Sequence, residues 1–477
     1  MSLTGSRGLT SIALASLVAF VSWLPDTASA TTAGDDGEAA ASNDVADEVP
    51  ALPAASSDAA NPADAANATN AANATSAADT AALNLADAVP AATAPSPAVH
   101  PWKFFVQDAV RESGYRDAPS SLRNQLSFDL LYQQAIVPSV SVNFSARFDR
   151  FDPLSQSAAP HRSESTIREA FASWNVTPLT GVDAGRINER LGAGVGYNPT
   201  DFFKAGAVNL DVSPDPESRR TNRLGTVGVR AQHLWDGGSA QLLFSPRLAS
   251  YSAPGNPFAS SDLQRTNGVN RWLFVGSQRV SASVQPQLLV YGEQGQAPQV
   301  SLNLSVVPAS SVVAYAEWTG GRRASLIGRS TGVDDRAFRT SSAIGATWTT
   351  PLDLSITAEL QSNGAGATPA QWRALQSNDP RAWGSAVQTG VASQDLPTRH
   401  GAFVMAIWRN AGIRRLDLSA FVQADQGGGR QAWLELRRHF DRFDVALQLQ
   451  RQGGPSWNRY GAMPESRSVQ MLATFYE

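Results

Sequence analysis

Along most of the chain, apolar and polar residues change places at every step. In Leu352–Gln361, Leu352, Leu354, Ile356, Ala358 and Leu360 share one face, and Asp353, Ser355, Thr357, Glu359 and Gln361 share the other. Leu416–Asp425 sets Leu416, Leu418, Ala420 and Val422 opposite Asp417, Ser419 and Gln423. Asp444–Gln452 and Ser301–Val306 follow the same rule. A helix needs spacings of three and four, whereas a strand with two different faces needs a period of two. The pattern predicts 17 strands, near 122–134, 138–149, 165–176, 178–189, 222–235, 238–250, 269–282, 285–292, 299–307, 311–320, 338–350, 352–362, 398–409, 413–425, 429–440, 442–452 and 466–477. Many neighbours are separated by short turn-like links such as Asp236-Gly237-Gly238 or Asn410-Ala411-Gly412, which join antiparallel strands. Longer polar links fall near 251–268, 321–337 and 363–397, and Pro369–Trp383 could hold a short helix in the last of them.

A propeller or a sandwich buries one strand face in protein, while a transmembrane barrel turns it to lipid. Three features favour the barrel. The segments run for about 9–13 residues, the length of a tilted bilayer crossing. Their polar faces carry Asp, Glu, Gln and Arg, which suits a wet lumen and not a dry core. Trp174, Trp235, Trp272, Trp318, Trp348, Trp408 and Trp433 lie near strand ends, where aromatic rings meet the two membrane interfaces. The last strand, with Val469, Met471, Ala473 and Phe475 on one face, ends on an aromatic pair before Glu477. The expected fold is therefore all-β: a transmembrane antiparallel up-and-down β-barrel of about 16–18 strands over residues 100–477, preceded by a disordered N-terminal tether.

Composition separates the chain into three materials. Residues 1–30 join Arg7 to an apolar run and end in Ala28-Ser29-Ala30, the form of a secretory signal cleaved near Ala30. Residues 31–99 hold 27 Ala in 69 positions, ten acids, no Lys or Arg and no aromatic residue, a composition expected to stay disordered as a tether. Removing Arg7, Asp26 and the ten tether acids from 38 basic and 42 acidic residues leaves 37 against 31. All the bases there are Arg except Lys103 and Lys204. This excess is too small and too dispersed for a nucleic-acid partner. Without cysteine, disulfides and thiolate metal sites are excluded.

The run GRINERLGAGVGYNPTDFF, Gly185–Phe203, suggests a phosphate-gripping loop, but its spacing fails both nucleotide motifs. Counting from Gly192 or Gly194, the sixth position is Tyr197 or Pro199 and not Gly, and Lys204 is not followed by Ser or Thr. A structural bend folded inside or beneath the barrel is the preferred reading, with Arg186, Glu189, Arg190 and Asp201 lining the lumen or its mouth. Together with Arg123–Arg150 and IREAFASW at 167–174, this run resembles a group of porin-like Gram-negative outer-membrane β-barrel proteins of unassigned substrate, loosely of the alginate-export and putative-porin type. The resemblance implies a barrel and transfers no catalytic residue.

Other motifs carry little. Gly328-Arg329-Ser330-Thr331-Gly332 spells a nucleophile elbow but is expected in a polar loop without the required helix. His100, His161, His233, His400 and His439 are isolated, and the pairs Asp149/Asp152 and Asp334/Asp335 lack the ligand spacing of a calcium loop. No cofactor, metal or catalytic group is expected. The functional expectation is a channel in the Gram-negative outer membrane for diffusion of small polar solutes, anionic or saccharide. Arg186, Arg190, Arg230, Arg437, Glu359 and Asp417 are its candidate lumen residues, and an Arg-rich lumen would favour anions. Expected partners are outer-membrane lipid, the barrel-assembly machinery and a possible second copy of the chain. Two alternatives stand beside it: a soluble secreted or periplasmic β-rich binding protein or carbohydrate-active enzyme, and a closed-lumen barrel acting as adhesin or anchor.

Overall fold

The computed structural model describes residues 101–207, 213–249 and 262–476. The expected signal peptide, the tether and His100 lie outside these residues.

Eighteen strands follow one another round a single sheet: β1 (Trp102–Tyr115), β2 (Ser121–Val137), β3 (Val140–Pro153), β4 (Arg162–Thr177), β5 (Thr180–Ile187), β6 (Thr226–Trp235), β7 (Gly238–Ser245), β8 (Arg271–Gln278), β9 (Val284–Glu293), β10 (Gln299–Ala309), β11 (Val312–Arg323), β12 (Ala337–Thr349), β13 (Leu354–Asn363), β14 (His400–Trp408), β15 (Leu416–Asp425), β16 (Arg430–His439), β17 (Phe443–Gly453) and β18 (Glu465–Tyr476). Each pairs antiparallel with its neighbours in sequence. β18 also pairs with β1, in a register that sets Arg111 opposite Gln470 and Val106 opposite Phe475. That pairing closes the barrel and leaves no open edge, the condition for a sheet to cross hydrocarbon. At strand spacings of about 4.8 Å and tilts of about 40°, eighteen strands enclose a cylinder roughly 35 Å across at the backbone.

All 17 segments expected from the alternation correspond to strands, and one strand, β1, escaped it. The outer face of β1 carries Asp108 and Glu112 beside Val106 and Val110, while Phe105 and Ala109 face inward. Polar and apolar residues are therefore mixed on both faces. Asp108 stays on the outer wall by accepting a 2.6 Å hydrogen bond from Asn124 of β2.

Elsewhere the two faces are cleanly divided. On β12, Phe338, Ile344 and Trp348 stand exposed on the outside, and Ser341, Ala343 and Thr347 are buried on the inside. Leu242, Phe244, Leu288, Leu302, Leu360 and Val404 extend the outer apolar surface round the wall. A continuous belt of this kind far exceeds the few hundred Å² that a protein tolerates against water, and a bilayer is the solvent that matches it. Trp174, Trp235, Trp348 and Trp408 mark the belt's edge at the rim of short turns, and Trp272 lies near the other. No helix of the described residues is long and apolar enough to span a membrane.

Trp433 corrects the expectation of an interfacial ring. It is buried on the inner face, in a cluster with Phe403, Met405 and Phe421. The alternation explains why: Ala432, Leu434 and Leu436 face out, so Trp433 shares its face with Glu435 and Arg437.

Both chain ends of the barrel, Trp102 and Tyr476, lie at the rim of short turns. The long loops, 188–225, 246–270, 324–336, 364–399 and 454–464, all leave the other rim. In outer-membrane barrels the short turns face the periplasm and the long loops face outward.

Candidate functional site

The glycine run answers its own question at the end of β5. Here the chain leaves the wall and turns into the lumen, and a series of backbone N–H groups converges on two wall carboxylates. Gly194 N donates to Glu317 of β11 at 2.5 Å. Val195 N and Tyr197 N each donate to Glu359 of β13 at 2.8 Å, with Gly196 N at 3.3 Å. Thr200 adds its hydroxyl to Glu317, and Tyr315 and Gln361 complete the shell of Glu359. The run is indeed an anion-binding nest of N–H groups, but its anions are the protein's own glutamates. Gly192 needs its freedom twice: it sits at φ +74°, and a Cβ there would come within 2.4 Å of Glu317. A Cβ on Gly196 would lie 2.3 Å from the ring of Phe403.

The NPTDFF end of the run ties the loop to a second stretch of wall. Asn198 accepts from Thr200 N and Asp201 N, the geometry of a tight turn. Asp201 is held by Arg223 at 2.6 Å, and Arg223 donates also to Asn188. Phe202 and Phe203 then pack with Leu191 on the inward face of β7–β9, made of Leu243, Leu273, Val275, Leu289 and Tyr291. Phe202 stacks on Tyr291 with ring centroids 4.3 Å apart. These strands are apolar on both faces because one meets lipid and the other meets this loop. The loop fills that side of the barrel as a small protein core.

A chamber of about 610 Å³ runs beside the loop, walled by β12–β18 and β1–β3 and bounded by the helix α1 (Pro216–Thr221) that ends the loop. Asp417 and Arg437 line it. Glu189 is buried on the loop's side, where it accepts from Arg230 and Gln241. Arg230 also donates to Asp183 at 2.7 Å. Arg186 is buried with one guanidinium nitrogen on the carbonyl of Ile167, Asp201 is enclosed by Arg223, Glu359 lies under the loop, and Arg190 is exposed. Of the candidate residues, Glu189, Asp201, Arg230 and Glu359 hold the loop, Asp417 and Arg437 wall the chamber, Arg186 is bound to wall strand β4, and Arg190 is exposed. Glu317 and Arg223, two further pins, were not visible from sequence. Glu317, buried on the polar face of an alternating strand, had the same signature as Glu359.

Two of the arginines that line the chamber, Arg437 and Arg147, are paired with carboxylates. Arg437 pairs with Glu435 at 2.8 Å and with Asp444 at 3.6 Å. His439 is held between Asp417 and Asp444. Arg147 pairs with Asp129 and Asp149.

At the long-loop rim, three loops supply helices: α3 (Leu326–Thr331), α4 (Pro369–Asn378), α5 (Pro380–Ser393) and α6 (Arg459–Ala462), with α2 (Leu263–Thr266) apart from them. Leu326, Trp372 and Ala386 form a buried core with Trp383 and Trp457 packed on it. The expected helix within 369–383 is present and a second follows it, each opened by Pro in its first turn. The nucleophile-elbow spelling at 328–332 does contain a helix, contrary to expectation. That helix begins at Leu326, capped by Ser325, so Ser330 lies at its end and not at a strand-to-helix elbow.

This cap is latched to the inward loop. Gly206 N donates to Ala392 O, Gln394 donates to Lys204 O, and Lys204 pairs with Asp395 at 3.3 Å. Burial alone would raise the Asp395 carboxyl, but Lys204, Arg323 and Arg329 outweigh it and hold the group below its ordinary range. A depressed carboxylate gives its stabilisation above its ordinary pKa and loses it as pH falls through the lowered one. The latch is thus intact at neutral pH and weakens in acid, below about pH 4. Single-channel recordings should show flicker rising over that acid range. Lys204→Met should flicker already at neutral pH, through loss of about 1 kcal/mol.

No protein-family model matches the chain, and no curated protein sequence matches it. Solved structures with a similar course of the chain include Pseudomonas aeruginosa OccK1 (OpdK), at 10% identity and TM-score 0.49, covering 79% of this chain and 98% of that one. Acinetobacter baumannii OccAB4 follows at 10% identity and TM-score 0.47, covering 79% and 97%. Pseudomonas aeruginosa OprD stands at 10% and 0.44, covering 79% and 94%. The likeness stops at the fold.

Proposed function

We propose that the protein is an outer-membrane channel through which small polar solutes diffuse along an eccentric, loop-narrowed passage. One observation carries this reading: the same strands that expose leucine and valine outward turn hydroxyls, amides and paired charges onto an internal chamber. A barrel of eighteen strands is wide enough to conduct unless filled, and the glycine loop, packed on β7–β9 and held at β11 and β13, leaves the chamber beside it. Flux would then be set by the chamber's size and by the groups on its wall. The long-loop rim would face outward, and the C-terminal strand with Phe475 exposed near its end would serve recognition by the barrel-assembly machinery. Kinship with alginate-export-type barrels belongs to the same proposal and rests on the Gly185–Phe203 run.

The helical cap supports a second reading, a barrel whose mouth is closed and which acts as an anchor or adhesin. Both readings require outer-membrane fractionation and heat-modifiable migration on a gel. They part in a planar bilayer, where the channel should give discrete conductance steps. A silent bilayer with correctly folded protein would reject the channel and leave the closed barrel.

A further inference from the structure

We infer that the chamber is a binding site for a neutral, polyhydroxylated solute with one apolar face, a sugar, rather than for an ion. The inference rests on the channel reading above and names its solute class. Charge is the first ground. Six arginines and five carboxylates line the chamber, and several of them are joined to one another. Glu435 and Asp444 take Arg437, Asp417 and Asp444 take His439, and Asp215 caps α1 through Ser218 N. Arg220 is turned onto the loop carbonyls of Gly192 and Leu191. Where a carboxylate meets Arg437 or His439 at hydrogen-bond distance the wall carries a dipole rather than a free charge, so a small ion gains less there than a count of arginines implies.

The second ground is what the wall offers once charge is set aside. On one side stand Thr347, Thr349, Ser355 and Thr357, whose hydroxyls bond in pairs across β12 and β13 at 2.8–2.9 Å. A paired hydroxyl has one proton and two lone pairs, so each pair keeps capacity for a further partner. On another stand the amides of Gln107, Gln125, Gln448 and Gln470. Between them runs an apolar strip of Val195, Met405, Ile407 and Trp433, with Trp433 stacked on Phe421 at 5.6 Å. Hydroxyl pairs, amides and an apolar strip together match a sugar ring, which carries hydroxyls round its edge and C–H groups on its face. The volume, about 610 Å³, falls in the range of small-molecule sites.

The test uses the full mature protein in planar bilayers. A KCl gradient gives the cation-to-anion permeability ratio, and maltose, sucrose, glycine and acetate are added in turn as probes. The inference expects a ratio within a factor of about three of unity, together with saturable current block by maltose or sucrose and none by glycine or acetate. Thr349→Val with Ser355→Ala removes one hydroxyl pair from the wall and should shorten the sugar's bound time roughly five-fold, one hydrogen bond's worth. Its unchanged heat-modifiability would show that the variant is folded. Open channels with strong ion preference, or open channels that sugars do not block saturably, overturn the sugar site and leave the channel standing. Absence of any conductance overturns the channel and this inference with it.

Discussion

Removing both carboxylates that hold the glycine loop, as Glu317→Ala with Glu359→Ala, should widen the pore and raise single-channel conductance about two-fold or more, because the occluding segment leaves a barrel that is otherwise wide enough to conduct. Between them the two side chains accept four backbone N–H groups, at Gly194, Val195, Gly196 and Tyr197. Hydrogen bonds to a charged acceptor contribute about 1.5–3 kcal/mol each, and a stranded buried donor costs about as much again. Even with the usual failure of such terms to add, several kcal/mol disappear from the loop's hold on this wall. The barrel itself is held by eighteen ladders of backbone hydrogen bonds that neither residue makes. Heat-modifiable migration should therefore persist while conductance rises. The packing of Phe202 and Phe203 on β7–β9 would keep the loop tethered, so larger fluctuation of the current should accompany the larger mean. Unchanged conductance and noise in the double variant would mean that the loop does not limit the pore.

How far the sequence could be read follows from the same physics. A wall residue has two environments, lipid and lumen, and the contrast between them is written directly in the alternation. The strands therefore stood out wherever that contrast was sharp, as at Leu352–Gln361. β1 stayed hidden because Asp108 faces outward and Phe105 inward, so its hydrophobic side is no side at all. β7 to β9 were visible but carried a second message. Leu243, Leu273 and Leu289 on the inner face had no meaning as lumen residues until the loop's Phe202 and Phe203 were found against them.

The site was less legible than the wall. The glycines announced a close backbone approach, and the mismatched nucleotide spacing turned the reading toward structure. Which anion the N–H groups meet depends on residues more than 100 positions away on another strand, and nothing local encodes that distance. Charge was hard to read for a related reason. Counting arginines on inward faces suggested an anion path, whereas Arg230 and Arg437 each sit against two carboxylates. A count of one residue type records supply, and selectivity depends on what is left after pairing.

Placing a charge on the outer belt should have the opposite consequence to placing one in the lumen. Ile344 is 60% exposed on β12, between Phe338 toward one rim and Trp348 toward the other. In water, Ile344→Arg would be harmless or would improve solubility. In a bilayer it puts a guanidinium near the hydrocarbon midplane, at a cost of about 2–4 kcal/mol. Unfolding in denaturant from lipid vesicles should show that loss as a lowered midpoint with an unchanged slope. Ser419→Arg, on the chamber wall, adds the same group to water-filled space. It should leave stability within about 0.5 kcal/mol and appear instead as a shift of reversal potential toward anions. Equal effects of the two substitutions on stability would contradict a lipid-facing belt, and the assignment of inside and outside would fall with it.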